Sequence, residues 1–285
     1  MMRPSSACLG LVALLIAGAA PRASEEDPRP LLCYSGPSMK ASMEELARAY
    51  EAKAGVKVVV ETNDPRTLID RIVVAPTADL FISHDPFLAI LAKQEVPVAR
   101  AWTVASLAPV IAVARGNPKG IRGLEDLARP GLRVGLTDAE KTISGNIVAL
   151  MLRKAGVARE VEANVTTRSA AGRELAAMLA EGRIDAGIVW NAVAFANREK
   201  MEAVEVRPEW RPRRGVDAEI DSPTMGRLEL DHVRVTIALL GDSPSPDAAR
   251  GFAEFVASPE GIAVFRKNGF SPPDPSRPSP IVPKP

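Results

Sequence analysis

The chain has 285 residues, and its 36 Lys and Arg nearly balance its 35 Asp and Glu, giving a formal net charge of +1. The sequence contains no basic stripe with interleaved aromatic residues, so nucleic acid is not an expected partner. An apolar fraction of 46% is typical of globular proteins, and this length suits one large domain or two medium ones.

The N-terminal residues have the pattern of a secretory signal peptide. A short basic start at Met1–Arg3 is followed by the apolar run Leu9–Ala20, which contains small residues suited to a cleavage site. This run is shorter than the roughly 20 apolar residues that a membrane-spanning helix needs. We therefore predict a leader at residues 1–23 and a soluble mature protein that is exported to the periplasm.

Cysteine usage predicts neither a disulfide nor a metal site. Cys8 lies within the predicted leader, which leaves Cys33 without a partner in the mature chain. A single cysteine inside an apolar strand is most often a small buried hydrophobic residue. We expect no metal and no cofactor.

A turn rich in small residues separates the first predicted strand from the first helix. The apolar run that begins at Leu31 stops at Ser35-Gly36-Pro37-Ser38, and Ser38 is the predicted N-cap of the helix. The helix has one apolar stripe, formed by Met39, Met43, Leu46, Ala47 and Tyr50. Free backbone N–H groups and the helix dipole at such a start favour an anion. Ser35 and Ser38 are therefore candidate ligand-binding residues, with capping alone as the alternative role of Ser38.

Two later helix starts have the same character. Thr142-Ile143-Ser144-Gly145 precedes a helical pattern whose apolar face contains Ile147, Leu150 and Met151. Arg168–Gly172 opens another helix, whose apolar face contains Leu175, Met178 and Leu179. Since each of the three turns lies beside an apolar strand, we predict that several helix starts converge on one cleft.

Strands and helices alternate along the middle of the chain. The predicted strands are Val56–Val60, Asp79–Ser83, Leu107–Ala114, Arg133–Leu136 and Ala186–Trp190. The predicted helices are Pro65–Val73, with Asp64 as its cap, Phe87–Lys93 and Leu124–Leu127. This alternation favours an α/β fold, in which ligands bind beyond the carboxyl ends of the strands.

Five segments between Leu31 and Phe270 carry a resemblance to a known family. They are Ala47–Val58, Ala78–Ser83, Gly116–Ile121, Asp185–Trp190 and Ser258–Phe270. In this order they resemble the periplasmic molybdate/tungstate-binding proteins of ABC importers, within the type 2 solute-binding fold. The resemblance implies two lobes, each a mostly parallel sheet flanked by helices, joined by the crossing strands Val110–Ala114 and Val235–Leu239.

The implied division of the chain follows from these crossing strands. We expect lobe 1 at residues 30–112 and 236–270 and lobe 2 at residues 113–235. The proline-rich residues 271–285 are expected to form a disordered tail. Arg207–Leu230 looks longer than the family's connection and is a candidate to reshape the mouth of the pocket.

The resemblance also implies an oxyanion site made of hydroxyl and backbone donors, without a charged partner. Ser38 looks like the family's first-turn serine. Ser144 and Gly172 match positions that offer backbone N–H groups, and Trp190 stands where the family often has a ligand-binding tyrosine.

The second turn departs from the family pattern. Pro65 stands at the position of the family's second serine, and proline removes a donor. Asp64 adds negative charge beside it. Either Arg66 or Thr67 supplies the missing contact, or the ligand is not molybdate.

These features predict a monomeric, non-catalytic solute-binding protein that captures a molybdate- or tungstate-like oxyanion between its lobes. It would deliver this small-molecule ligand to an inner-membrane ABC permease. Alternatives with the same cleft are a binding protein for an organic anion, an amine or a metal, and a periplasmic sensor domain.

An enzyme on the same fold is a further alternative. A Ser–His–Asp arrangement would use His84 with Asp85 or His232 with Asp231. Asp64 or Glu61 would be candidate bases. No Gly-x-Ser-x-Gly elbow and no zinc-type histidine pair supports this alternative.

Overall fold

The computed structural model describes residues 29–222 and 226–276 of the chain. The predicted leader and residues 277–285 of the predicted tail lie outside this range. Within it, no helix is long and apolar enough to cross a membrane.

Strands and helices alternate through most of these residues. The strands are, in chain order, β1 (Leu31–Ser35), β2 (Val58–Thr62), β3 (Leu80–His84), β4 (Val98–Leu107), β5 (Pro109–Ala114), β6 (Val134–Thr137), β7 (Val165–Ser169), β8 (Ala186–Trp190), β9 (Met201–Glu205), β10 (Glu219–Ser222), β11 (Gly226–Glu229) and β12 (Val233–Leu240). The α-helices are α1 (Lys40–Ala54), α2 (Pro65–Val74), α3 (Phe87–Lys93), α4 (Ile143–Lys154), α5 (Ala158–Asn164), α6 (Gly172–Ala180), α7 (Asn191–Ala196), α8 (Pro246–Val256) and α9 (Pro259–Lys267). Short 3-10 helices lie at Pro37–Met39, Leu124–Ala128 and Pro208–Trp210.

The first sheet has the spatial order β2-β1-β3-β12-β4. Because successive strand residues point to opposite faces, it buries apolar side chains on both sides. Leu46 of α1, Phe252 of α8 and Phe265 of α9 belong to the core on one face, and Ile72 of α2 and Leu91 of α3 belong to the core on the other.

Cys33 of β1 lies in this first core as a fully buried free thiol, which confirms its predicted role as a small hydrophobic residue. Burial raises the pKa of the Cys33 thiol far above its usual range. The thiol is therefore protonated and has the character of an apolar group.

The second sheet has the order β7-β6-β8-β5-β9. Met151 of α4 and Val161 of α5 lie in the core on one face, continuous with that of the first sheet, and Leu175 and Leu179 of α6 lie in the core on the other. In each sheet four strands run in one direction and one strand, β12 or β5, runs against them. The predicted two-lobed α/β fold with mostly parallel sheets is confirmed.

The chain passes between the two lobes at Ala108 and again between Leu230 and Val233. The prediction of one strand over Leu107–Ala114 is wrong, because the residues on either side of Ala108 pair in different sheets. The expected boundaries at 112/113 and 235/236 fall inside β5 and β12. We propose instead that the lobes divide at Ala108 and at residues 230–232.

The start of the proline-rich tail is held in place. Ser106 and Ser271 exchange backbone hydrogen bonds of 2.9 and 3.0 Å, and the Asn191 side chain donates to Ser271 Oγ at 3.1 Å. The prediction of disorder from Ser271 onward is therefore wrong at the first residue of this segment.

The segment 207–230 forms a 3-10 turn and the hairpin β10–β11, which the sequence analysis did not predict. Leu228 and Leu230 are buried, and Lys154 of α4 makes an ion pair of 2.7 Å with Asp217. None of the segment's described residues, which exclude 223–225, lines the cleft. Its predicted effect on the pocket mouth is therefore unsupported.

Candidate ligand-binding cleft

A cavity of about 760 Å³ lies between the lobes, where strands of both sheets end. Its walls come from the turns that follow six strands. The lining residues are Gly36–Ala41 and Glu44 after β1, Asp64–Arg66 after β2, His84, Pro86, Phe87 and Ile90 after β3, Thr137 and Glu140–Ser144 after β6, Ala170–Arg173 after β7, and Trp190, Ala192, Val193, Ala196 and Asn197 after β8. This is the convergence of helix starts that the sequence predicted.

The first turn presents Ser38 to the cavity. Pro37 begins a 3-10 turn that contains Ser38, and α1 starts only at Lys40, with Met39 as its N-cap. The predicted capping role of Ser38 is therefore wrong. Within the described residues, neither its hydroxyl nor its backbone N–H has a hydrogen-bond partner, so both are available to a ligand.

Ser35 does not reach the cavity. It is fully buried behind the turn, and its Oγ donates to the carbonyl oxygen of Gly36 at 3.1 Å. The structure therefore does not bring Ser35 together with the other predicted ligand-binding residues.

In the second turn, a side chain of the turn itself accepts the hydrogen bonds of the free helix N–H groups. Asp64 caps α2 as predicted, accepting hydrogen bonds from the backbone N–H groups of Arg66 at 3.0 Å and Thr67 at 3.4 Å. Asp64, Pro65 and Arg66 line the cavity, whereas Thr67 is exposed outside it. Of the two predicted substitutes for the missing serine, only Arg66 is in position.

At the start of α4, one backbone N–H is bound by the N-cap side chain and another is free among the described residues. Thr142 Oγ1 accepts from the Gly145 N–H at 2.9 Å, and Ser144 Oγ lies 2.5 Å from Thr137 Oγ1. The Ser144 backbone N–H has no acceptor among the described residues. Gly145 is required here because a Cβ would lie 2.5 Å from backbone atoms of Asp138.

The start of α6 has no side-chain cap. Ala171 is its N-cap, and the backbone N–H groups of Gly172 and Arg173 have no acceptor in the described chain. Gly172 thus offers a backbone N–H at the cavity wall, as the resemblance implied. Arg173, which the sequence analysis passed over, lines the cavity beside it.

His84 and Trp190 meet at the floor of the cleft, one from each lobe. Their ring centroids are 6.0 Å apart at an interplanar angle of 63°. The Nδ1–H of His84 donates to the carbonyl of Asp85 at 2.6 Å, and burial lowers the pKa of His84, so the ring is neutral at pH 7. Trp190 is only 7% exposed, and its indole N–H has no partner among the described residues.

The candidate catalytic groups are occupied by other contacts. The Asp85 carboxylate accepts from Arg234 Nε at 2.9 Å, and Glu61 pairs with Arg71 at 2.9 Å. His232 Nε2 lies 3.1 Å from Ser106 Oγ, near the crossing between lobes and away from the cleft.

Residues missed by the sequence analysis include His84 as a lining residue, Arg173 and Phe87. Each follows a strand end or a predicted turn, so the rule that ligands bind beyond strand ends was the available signal. Among the described residues, no group of three or more His, Cys, Asp or Glu is placed to hold a metal.

Comparisons with known proteins identify the family of this chain. A family model described as bacterial extracellular solute-binding protein matches residues 31–271. A Haemophilus influenzae protein named only as a binding protein is 25% identical over 242 residues, covering 85% of this chain and 91% of its own. The molybdate-binding protein ModA of Mycobacterium tuberculosis is 24% identical over 277 residues, covering 93% and 97%.

Solved structures share the fold. PEB3, a Campylobacter jejuni protein, with bound L-phospholactate has a TM-score of 0.69 at 19% identity, covering 85% of this chain and 99% of its own. The periplasmic molybdate-binding protein of Azotobacter vinelandii has a TM-score of 0.65 at 16% identity, covering 86% and 100%. The predicted resemblance is confirmed, and the chain belongs to the bacterial extracellular solute-binding protein family.

Proposed function

We propose that this chain is the exported solute-binding protein of an ABC importer and that it captures a small tetrahedral oxyanion in the cleft. Molybdate and tungstate are the first candidates, because they are the ligands of the family that the sequence resembles. The inner-membrane permease of the importer would be its partner, and no catalytic step is involved.

One observation carries the proposal: both lobes line one cavity with hydrogen-bond donors that have no partner in the described part of the chain. Ser38 contributes a hydroxyl and an N–H from the first lobe, and Ser144 and Gly172 contribute N–H groups from the second. Such donors suit an oxyanion, since hydrogen bonds to a charged acceptor are shorter and stronger than neutral ones. Closing the lobes would exclude water and strengthen each of these bonds.

A thermal-shift panel on the mature protein tests the ligand class. A ligand at 100 times its Kd stabilises the folded state by about 2.7 kcal/mol, which corresponds to roughly 5–10 °C in Tm for a protein of this size. We expect such a shift with at least one of molybdate, tungstate, phosphate and sulfate. Shifts produced only by amino acids or divalent metals would contradict the proposal.

Export is tested separately by fractionation. The leader pattern predicts recovery from the periplasmic fraction, with an N-terminus between Ala20 and Glu25. An intact chain beginning at Met1 in the cytoplasmic fraction would contradict both export and the importer role.

A further inference from the structure

The cavity is much larger than a bare oxyanion. Each oxygen of a tetrahedral ion takes about the space of a water molecule, roughly 30 Å³, so the four oxygens fill about 120 Å³. The cavity measures about 760 Å³, although His84 and Trp190 already close its floor. Most of the space therefore lies beyond the reach of a bare ion.

Part of the remaining wall is apolar. Phe87 and Ile90 line it from the first lobe, and Val193 lines it from the second. An ion held only by polar donors makes no use of such a surface, whereas the carbon skeleton of an organic ligand would bury apolar area against it.

Two of the cations at the cavity lack a partner among the described residues. Among the residues that line it, Lys40 lies 3.9 Å from Glu44 and Lys141 lies 3.6 Å from Asp138. Arg66 and Arg173, one in each lobe, are exposed, and their guanidinium groups have no ion pair or hydrogen bond within residues 29–222 and 226–276. A planar guanidinium matches a carboxylate through two parallel hydrogen bonds, which makes a second anionic group the complementary ligand feature.

The indole of Trp190 offers the first anionic group a further donor. Trp190 is 7% exposed and lines the cavity, and its indole N–H has no hydrogen-bond partner in the described part of the chain. This nitrogen is not fully buried, so its N–H can donate to an acceptor on a ligand in the cavity. It lies in the same cavity as the Ser38 and Gly172 donors.

We propose that the cleft takes its oxyanion as the head group of a small organic acid, whose carboxylate is bound by Arg66 and Arg173. The head group occupies the donors at Ser38, Ser144 and Gly172, with the Trp190 N–H as a further donor. The carbon skeleton lies on the apolar wall. This rests on the proposed function, since the head group is the same oxyanion bound at the same donors.

A matched pair of probes isolates the carboxylate. 2-Phosphoglycolate and ethyl phosphate carry the same phosphate ester, and a methyl group in the second replaces the carboxylate of the first. In calorimetry at about 0.15 M salt, where exposed charges are screened, 2-phosphoglycolate is expected to bind at least about tenfold more tightly, as charge-assisted hydrogen bonds imply. Inorganic phosphate serves as the head group alone.

Variants assign the difference to the two arginines. Combining Arg66→Gln with Arg173→Gln should bring the affinity ratio of the two probes to within about twofold of unity. Arg159→Gln is the control, because Arg159 is exposed on α5 and does not line the cavity. This control should leave the ratio unchanged.

The outcomes separate the two proposals. Equal binding of 2-phosphoglycolate, ethyl phosphate and inorganic phosphate would overturn the organic-acid inference and leave oxyanion capture standing. A preference for 2-phosphoglycolate that survives in the double variant would overturn the role of the arginines. Binding of no anion at all, molybdate included, would overturn both proposals.

Discussion

The turns after β1 and β2 lie at the same edge of the first sheet but differ in their hydrogen bonding. We call a helix start open when its donors lack a partner among the described residues, as after β1, and closed when its own side chain binds them, as after β2. In the first, the Ser38 hydroxyl and N–H have no partner among the described residues. In the second, Asp64 uses its carboxylate to accept from Arg66 and Thr67. A helix start that satisfies its own donors has little left for a ligand, so oxyanion capture falls to the open starts.

The largest loss of oxyanion affinity is expected when a backbone N–H that is free among the described residues is removed from the start of α6 in the second lobe. Gly172 is the first residue of α6 and follows Ala171 at φ −144° and ψ 130°, a backbone that tolerates a following proline. Gly172→Pro removes the N–H while keeping the helix, and should weaken oxyanion binding by about 1.5–3 kcal/mol, measured by calorimetry.

Gly172→Ala is the matched control, because it keeps the N–H. Its Cβ would lie 3.6 Å from the Val189 Cβ, an ordinary contact. If both variants bind molybdate or phosphate as tightly as the wild type, the open start of α6 does not hold the ligand.

Ser38→Ala should weaken oxyanion binding by about 1.5 kcal/mol, the lower end of the range for a hydrogen bond to a charged group. The smaller loss is expected because Ser38 is only half-buried, so water can replace the hydroxyl. Since Ser38 makes no capping bond, the free energy of unfolding in urea should change by less than about 0.5 kcal/mol. Unchanged affinity with lowered stability would instead indicate a structural role.

The closed turn should respond in stability and not in affinity. Asp64→Ala removes the cap of α2 and should lower the free energy of unfolding by about 1 kcal/mol. Asp64→Asn preserves a capping oxygen, so both stability and molybdate affinity should stay within about 0.5 kcal/mol of the wild type. Marked tightening of oxyanion binding by Asp64→Asn would mean that the carboxylate repels the ligand.

The smallest effect concerns His84 at the floor of the cleft. Burial lowers its pKa in the folded protein, so the unfolded chain binds the proton more readily. Its contribution to stability is present above the unfolded pKa of about 6.5 and is lost as the pH falls through the folded pKa. The Tm should therefore fall between pH 7 and pH 5, and His84→Asn should reduce that fall; an identical fall in the variant would contradict this.

Helix caps and turns could be predicted from the sequence where the residues that form them lie in one short segment. The Asp64 cap and the turn after β6 depend on neighbours within four residues, so their patterns were visible. The predicted capping role of Ser38 was wrong because Pro37 starts a 3-10 turn, so that α1 begins only at Lys40. A serine followed by an apolar stripe does not reveal this turn.

Features set by distant partners were out of reach. The break at Ala108 depends on Asn191, whose N–H donates to the Ala108 carbonyl at 2.8 Å and whose Oδ1 accepts from the Ala108 N–H at 3.1 Å. The ordered start of the tail depends on Ser106, far away in the sequence. Because these partners are far apart in the sequence, no local pattern records their contacts.

Whether the cleft binds oxyanions is decided by calorimetric titration of the wild-type mature protein with molybdate, tungstate, phosphate and sulfate. We expect saturable binding of at least one of these oxyanions, with one site per chain. A protein that binds none of them, while binding an amine or a divalent metal, would contradict it.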